Sequence, residues 1–470
     1  MSRRWFPAAV AMFVATGTLA GSAAASEAPS SNPATYAAGE IVVRYFPGTG
    51  PDDQAEAREA LDASVESSSA VSGLEILDVP AGTDVEDAAA AAEALPQVLY
   101  AEPNYAYRIA AVPNDPMYRS LWALGPSNRS GMSSGIDTPS AWNATTGSPT
   151  MKVAVVDSGV ETTHPDLAPN IWSNPGETGG REANATDDDG SGFADDWRGW
   201  DWVDDDNDPA DPLGHGTHTA GTIGAVGNNG VGVTGVNWHV KVMPLRVIDA
   251  SGVGYATDVA EAFTYAARMG AQVVNASLSG PDLSQGMYEA IAAAPQTLFV
   301  VAAGNEGKDN DVSPSYPCNF ELPNVVCVTA TGEFNELTPF SNWGARSVDL
   351  AAPGMRIVST WPGGGYAEGM GTSAATPHVS GTAALVWSRF PGGALAVRDR
   401  LLATVERIPE LQGRTVTGGR VNAATALGQP REAAEELRGG DKKRCKKKSA
   451  RLRHRQRRRH RQRRACRTRR

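Results

Sequence analysis

Cysteine is scarce in this chain: there are four in 470 residues, and none stands in a CxxC pair. That spacing excludes zinc-ribbon and thioredoxin-type sites. The HExxH pattern is missing as well, which removes the helix-borne zinc hydrolases. Beyond the first 25 residues no apolar run is long enough to span a bilayer. Acid is nearly absent from the last thirty residues, where positions 441–470 hold 18 of the 42 Lys and Arg but 1 of the 53 Asp and Glu. The remainder therefore carries 24 bases against 52 acids, and the overall charge of −11 conceals an acidic body and a basic tail. A like-charged run of this kind cannot collapse on itself, so residues 431–470 are expected to be a disordered tail.

What is present fits a multi-part exported precursor. The length allows two to four folding units, and 41% hydrophobic content is enough for a large core. Residues 1–25 have a basic start, an apolar stretch too short for a membrane span, and a cleavage site at Ala23, Ala24 and Ala25. They read as a signal peptide. SRRWF is similar to a twin-arginine signal, but Pro7 stands where an apolar residue is usual, and Sec export is the preferred reading. In an exported protein the two sequence-local cysteine pairs, Cys318 with Cys327 and Cys445 with Cys466, favour two disulfides.

Residues 39–108 alternate strand-like GEIVVRYF, LEILDVP and VLYAEPNYAYRI with two helical stretches, the pattern of a small α+β module. From Met151 onward continuous apolar runs alternate with amphipathic helices. That indicates an α/β unit, a doubly wound and mostly parallel sheet with helices on both faces. Asp157 and Asn305 then fall at carboxyl ends of strands, where open α/β sheets place their sites.

Chemistry concentrates in three segments: MKVAVVDSGV with Asp157, DPLGHGTHTAG with His215 and His218, and GTSAATPHVSG with Ser373. A serine hydroxyl needs a base to take its proton, an imidazole does this near neutral pH, and a carboxylate orients the imidazole. Taken singly, Asp157 reads as a turn residue and Ser373 as a helix N-cap. Spacing does not choose among His164, His215, His218, His239 and His378.

Four motifs in order, VVDSGV, HGTHTAGT, AAGNEG and GTSAATPHVSG, identify what the chain resembles: the subtilisin-like serine proteases. The resemblance implies Asp157 as orienting acid, His215 as base, Ser373 as nucleophile, and Asn305 with the Ser373 backbone N–H as oxyanion donors. It leaves His218 a packing or hydrogen-bonding residue. Residues 26–111 resemble the family's ferredoxin-like propeptide, an intramolecular chaperone and inhibitor, which leaves 112–430 as the catalytic domain. The walls of the pocket before the scissile bond would be Ser277, Leu278, Ser279 and Gly280 on one side and Ala302, Ala303 and Gly304 on the other. Ser279 stands where the family usually has glycine, and Ala374 stands where methionine is common, so activity is expected to resist mild peroxide.

Calcium enters in two ways. In DDDGSGFADDWR, Asp187, Asp189, Ser191 and Asp195 occupy positions one, three, five and nine of a calcium loop, with Gly192 at the sharp turn. Position twelve is Arg198 rather than glutamate, and Asp196 or Asp201 would complete the shell; a solvated acidic loop is the plain alternative. A second, structural calcium site at Asp115, Asp166 and Asn229 is implied by the resemblance.

The resulting expectation is a secreted, calcium-stabilised, monomeric serine endopeptidase. It acts on proteins or peptides, matures by self-cleavage near residues 108–113, and has its own propeptide as inhibitor. A catalytically silent binding or adhesion protein of the cell surface is the competing class. The basic tail would hold the protein to an anionic cell envelope or be removed on maturation.

Overall fold

The computed structural model describes residues 36–69, 71, 73–105, 112–128 and 133–429. The expected signal peptide, the 108–111 part of the cleavage region, Cys445, Cys466 and the basic tail lie outside the described residues. The chain divides into two compact units between Tyr107 and Arg108.

In the first unit four antiparallel strands lie in the order Ser64–Ser68, Leu74–Asp78, Tyr36–Tyr45 and Val98–Tyr105, with helices Pro51–Ala60 and Val85–Glu93. This strand–helix–strand–strand–helix–strand order is the ferredoxin-like α+β arrangement. Period-two patterning sets the faces: Ile41, Val43 and Tyr45 are buried against Ala57, Ala88 and Ala92. Asp84 caps the second helix, its carboxylate accepting from the Glu86 and Asp87 N–H groups.

The second unit is built on a nine-stranded sheet, parallel except at one edge, where Glu406–Arg407 pairs antiparallel with Gly419–Arg420. Its central strands are built on apolar runs because both faces are covered. Val153, Val155, Leu298, Val300, Val326 and Val328 point into one core, packed with helices His215–Gly224 and Thr372–Arg389. Ala154, Val156, Phe299, Val301, Val325 and Cys327 point into the other, against helices Ala256–Arg268 and Gln285–Ala292. The strand Gly147–Asp157 lies between His239–Arg246 and Val273–Ala276. The connection from this strand runs toward the Trp200–Asp201 edge and that from Val273–Ala276 toward the opposite edge, and the crevice at such a switch point opens beside Asp157.

A hairpin, Ile357–Trp361 with Gly365–Gly369, leads into the helix Thr372–Arg389 and is not signalled by the strand–helix alternation. No helix among the described residues is long and apolar enough to cross a membrane. Cys318 and Cys327 form a disulfide that closes a short loop running into the buried strand Val325–Thr331. Replacing both by alanine is expected to lower stability by about 2–3 kcal/mol. Urea unfolding of the inhibited protein with and without the substitution measures this, and an unchanged midpoint contradicts it.

Candidate active site

Asp157 ends its strand 2% exposed, and His215 opens the helix His215–Gly224. The two are joined by a 2.6 Å bond in which the imidazole Nδ1–H donates to Asp157 Oδ1, since a carboxylate only accepts. Two glycines allow this closeness. A Cβ at Gly216 would stand 2.0 Å from the Gly159 carbonyl oxygen and 3.1 Å from Asp157 Cβ. At Gly214 the backbone is left-handed (φ 93°), and a Cβ would lie 2.4 Å from the Trp361 ring. The free N–H groups of this helix start go to two residues that the motifs did not single out. Asp211 accepts from the Leu213, Gly214 and Thr217 N–H groups and from the Ser158 hydroxyl. Ser158 Oγ in turn accepts from the Gly216 N–H at 3.0 Å.

Ser373 sits in the first turn of helix Thr372–Arg389. Asn305 follows the strand Leu298–Ala302, and its Oδ1 accepts both the Thr372 N–H (2.8 Å) and the Thr372 hydroxyl (3.0 Å). That fixes the amide oxygen on Thr372 and leaves the NH2 for the cleft. A Cβ at Gly371 (φ 143°) would lie 2.8 Å from Ser373 Oγ and 3.5 Å from Asn305 Nδ2, so both atoms crowd one point that only glycine leaves open.

Asp157, His215, Ser373 and Asn305 line one cleft of about 600 Å³, together with Ser277, Leu278, Ser279, Gly280 and Ala302. His215 and Ser373 share its wall without a hydrogen bond between them, as catalytic contacts often do before substrate binds. Two of the expected pocket residues, Ala303 and Gly304, are not among those lining this cleft. Ala303 points into the core, because strand alternation turns it away from the face of Ala302. Gly304 is buried behind the wall, its N–H donating to the Thr372 hydroxyl.

The other histidines are structural in their contacts. His218 Nε2 is bonded to the Ile357 carbonyl and His378 Nδ1 to that of Ala374. Burial pushes His218 below the ordinary imidazole value, and pushes His378 down to about 4. His215 moves the other way, raised chiefly by the Asp157 charge against an opposing effect of burial.

The acidic loop departs from the expected ligand set. Asp187 accepts from the Ser191 and Gly192 N–H groups, Asp195 from those of Asn184 and Ala185, and the Ser191 hydroxyl donates to the Phe193 carbonyl. Left-handed turns at Gly190, Gly192 and Asp195 aim these carboxylates at backbone N–H groups rather than at one centre. Among the described residues the group whose oxygens lie within 4.8 Å of one another is Glu177, Asp189 and Asp196. Glu177 and Asp196 are fully buried, and burial raises the pKa of both. Glu177 Oε2 is a buried oxygen with no hydrogen-bond partner, so the group fits a hard cation. Glu177 comes from an earlier loop, and no loop-spacing pattern would have found it. Asp115, Asp166 and Asn229 do come together. Asn229 Nδ2 donates to Asp166 Oδ1, both Asp115 and Asp166 accept N–H groups from the 228–233 loop, and Asp115 Oδ1 is buried without a partner.

A buried carboxylate bonded to a half-exposed imidazole, in one cleft with a helix-borne serine, is an arrangement that fits hydrolases of the serine-nucleophile class. Residues 148–433, more than half of the chain, match the model of the subtilase family, and residues 22–104 match that of the fervidolysin N-terminal prodomain. The chain is 32% identical over 396 residues to a thermophilic serine proteinase of Bacillus sp. strain AK1, covering 83% of this chain and 88% of that protein. It is 37% identical to thermitase of Thermoactinomyces vulgaris, covering 67% and 99%. Among solved structures it is similar to a protease of Pseudoalteromonas arctica, with a TM-score of 0.56 and 30% identity, covering 68% of this chain and 99% of that one. The chain belongs to the subtilase family. It is a subtilisin-like serine endopeptidase with an N-terminal prodomain.

Since Asp157 is what raises His215, Asp157→Asn is expected to move the imidazole titration downward. NMR titration of the His215 ring in the mature protein, its serine left unmodified, reads this directly, and an unmoved or rising midpoint contradicts the pairing.

Proposed function

We propose that this endopeptidase is exported and hydrolyses peptide bonds with Asp157, His215 and Ser373, and that Asn305 and the Ser373 N–H hold the oxyanion. The observation that carries the reading is the 2.6 Å Asp157–His215 bond in the cleft shared with Ser373 and Asn305. With Nδ1–H committed to Asp157, Nε2 is the free base. It takes the Ser373 proton as Oγ attacks the scissile carbonyl, and the imidazolium is stabilised by Asp157. The developing oxyanion meets Asn305 Nδ2 and the Ser373 N–H, a donor pair whose loss at one member costs about 100- to 1,000-fold in rate. His215 then protonates the leaving amine, and water releases the acyl group by the reverse sequence.

Only neutral His215 works as base. Because its pKa is raised above the ordinary imidazole value of 6.5, kcat/KM is lost on the acid side at a pH above that value and regained as pH rises.

The domain reading is a signal peptide at 1–25, an inhibitory prosegment at 26–111, a catalytic domain at 112–430 and a basic tail at 431–470 that binds the anionic cell envelope. Support for the prosegment comes from the prodomain match over residues 22–104. The mature protein is a monomer acting on proteins or peptides. The adhesion reading has no observation in its favour, since the cleft keeps every member of the set.

Calcium is the cation proposed for Glu177, Asp189 and Asp196, and for the Asp115, Asp166 and Asn229 cluster. In both places it would supply charge to a buried carboxylate oxygen that has no hydrogen-bond donor.

Two experiments test this. Ser373→Ala is expected to accumulate as uncleaved precursor and to lose fluorophosphonate labelling; normal maturation of that variant refutes self-processing. Calcium at about 100 times its dissociation constant stabilises by roughly 2.7 kcal/mol, so chelation should lower the thermal midpoint of the inhibited enzyme. Glu177→Gln is expected to shrink that shift, and an equal midpoint with and without chelator rules the cation out.

A further inference from the structure

One buried side chain in the centre of the sheet has no place in the roles above. Asn275 stands in the strand Val273–Ala276, is 0% exposed, and pairs with Val155 on one side and Val300 on the other. An amide among valines is costly unless every polar group is satisfied, so its partners are informative. The Ser380 hydroxyl donates to Asn275 Oδ1 at 2.8 Å. Asn275 Nδ2 donates to Ser277 Oγ at 2.9 Å, and the Ser277 hydroxyl donates to the backbone carbonyl of Ser373 at 2.9 Å.

The last contact answers a gap that the sequence itself creates. In a helix the Ser373 carbonyl would accept from the N–H of residue 377, but that residue is Pro377, inside the helix and without an N–H. The carbonyl of Ser373 is thereby denied its helical partner, and the Ser277 hydroxyl takes that place. Ser380 lies seven residues after Ser373, on the same helical face. The relay thus ties two turns of this helix to the strand that continues into the cleft wall at Ser277–Gly280.

Resting on the assignment of Ser373 as nucleophile, we propose that Asn275, through Ser277, is a positioning residue for Ser373. The Ser380–Asn275–Ser277 relay replaces the hydrogen bond that Pro377 removes. It sets the orientation of the turn that presents both Ser373 Oγ and the Ser373 N–H, and it makes wall and nucleophile one rigid body. Thr372, held by Asn305, secures the same turn from its other side. Because the relay aligns groups that act on the transition state, its loss falls on kcat more than on KM.

The test uses the full-length precursor, matured and counted by fluorophosphonate titration. Ser277→Ala, and Asn275→Asp, which keeps the shape but removes the N–H that Ser277 accepts, are each expected to lower kcat per titrated site by about tenfold or more with KM within about twofold. Ser277→Thr keeps the hydroxyl and should hold kcat within about threefold. Pro377→Ala returns an N–H to position 377, so adding it to Ser277→Ala should restore at least about half of the logarithmic loss, a coupling that independent sites do not show. An unchanged kcat per labelled site in Ser277→Ala, or a double variant as slow as the product of the two singles, overturns the relay. Should Ser277→Ala fail to fold, rescue of folding and turnover by Pro377→Ala supports it, and no rescue overturns it. Failure of the unaltered protein to label at Ser373 would instead remove the nucleophile assignment on which the relay rests.

Discussion

The approach of a helix N-terminus to a strand end, close enough that no side chain fits between, is what the site depends on. Gly216 lies against Gly159 and Asp157 at a separation that a single methyl group would violate. His215 precedes it and can therefore reach the carboxylate at 2.6 Å. Ser158 and Asp211 absorb the N–H groups that such a helix start leaves over, so the contact survives burial of those groups. Moving the helix outward would lengthen the Asp157–His215 bond, release the His215 tautomer and expose Asp211 together. These are not separable features of the fold.

An acidic body requires the same accounting for every carboxylate drawn out of water. Several find backbone N–H donors: Asp187, Asp195, Asp211 and Asp311 each accept at least two. Others find a cation of the protein, as Asp349 does with Arg398, and Asp201 with Arg246. Glu177 and Asp115 are different, since each keeps one buried oxygen with neither. An unpaired carboxylate oxygen in a buried position is costly, which is why these two, and not the more numerous exposed acids, are the places proposed for a cation.

The layering is legible because strands buried on both faces must read as unbroken apolar runs, and VAVV, LFVV and VVCV do. The hairpin before the helix Thr372–Arg389 is not, because its strands are only five residues long and the second, GYAEG, is polar and glycine-flanked, so neither carries a long apolar run. Within the site, motif residues are visible as chemistry-bearing types in fixed order, yet choosing His215 over four other histidines requires the family resemblance. Geometry separates them on other grounds: His218 and His378 spend a ring nitrogen on a backbone carbonyl, whereas His215 spends one on a carboxylate. The acidic loop shows the limit most clearly. Alternating carboxylates at calcium-loop spacing read as ligands, but positive φ at Gly190, Gly192 and Asp195 turns several of them onto their own backbone. Glu177, outside the loop and off its spacing pattern, carries no such signal.

Proline inside a helix is ordinarily a defect, and its position decides what the defect does. At residue 377 it withdraws the N–H that would have bound the carbonyl of Ser373, and it does so in a turn whose start is already held by Asn305. A helix complete at this point would satisfy itself and need no contact with the sheet. An incomplete one must find a donor outside, and the donor it finds, Ser277, belongs to the wall of the same cleft. The irregularity therefore converts an internal helical bond into a tertiary one. Since a tertiary bond constrains position as well as conformation, the turn bearing Ser373 is located relative to the strand ends that carry Asp157 and Asn305, which is the condition that the proposed chemistry sets for three separate elements.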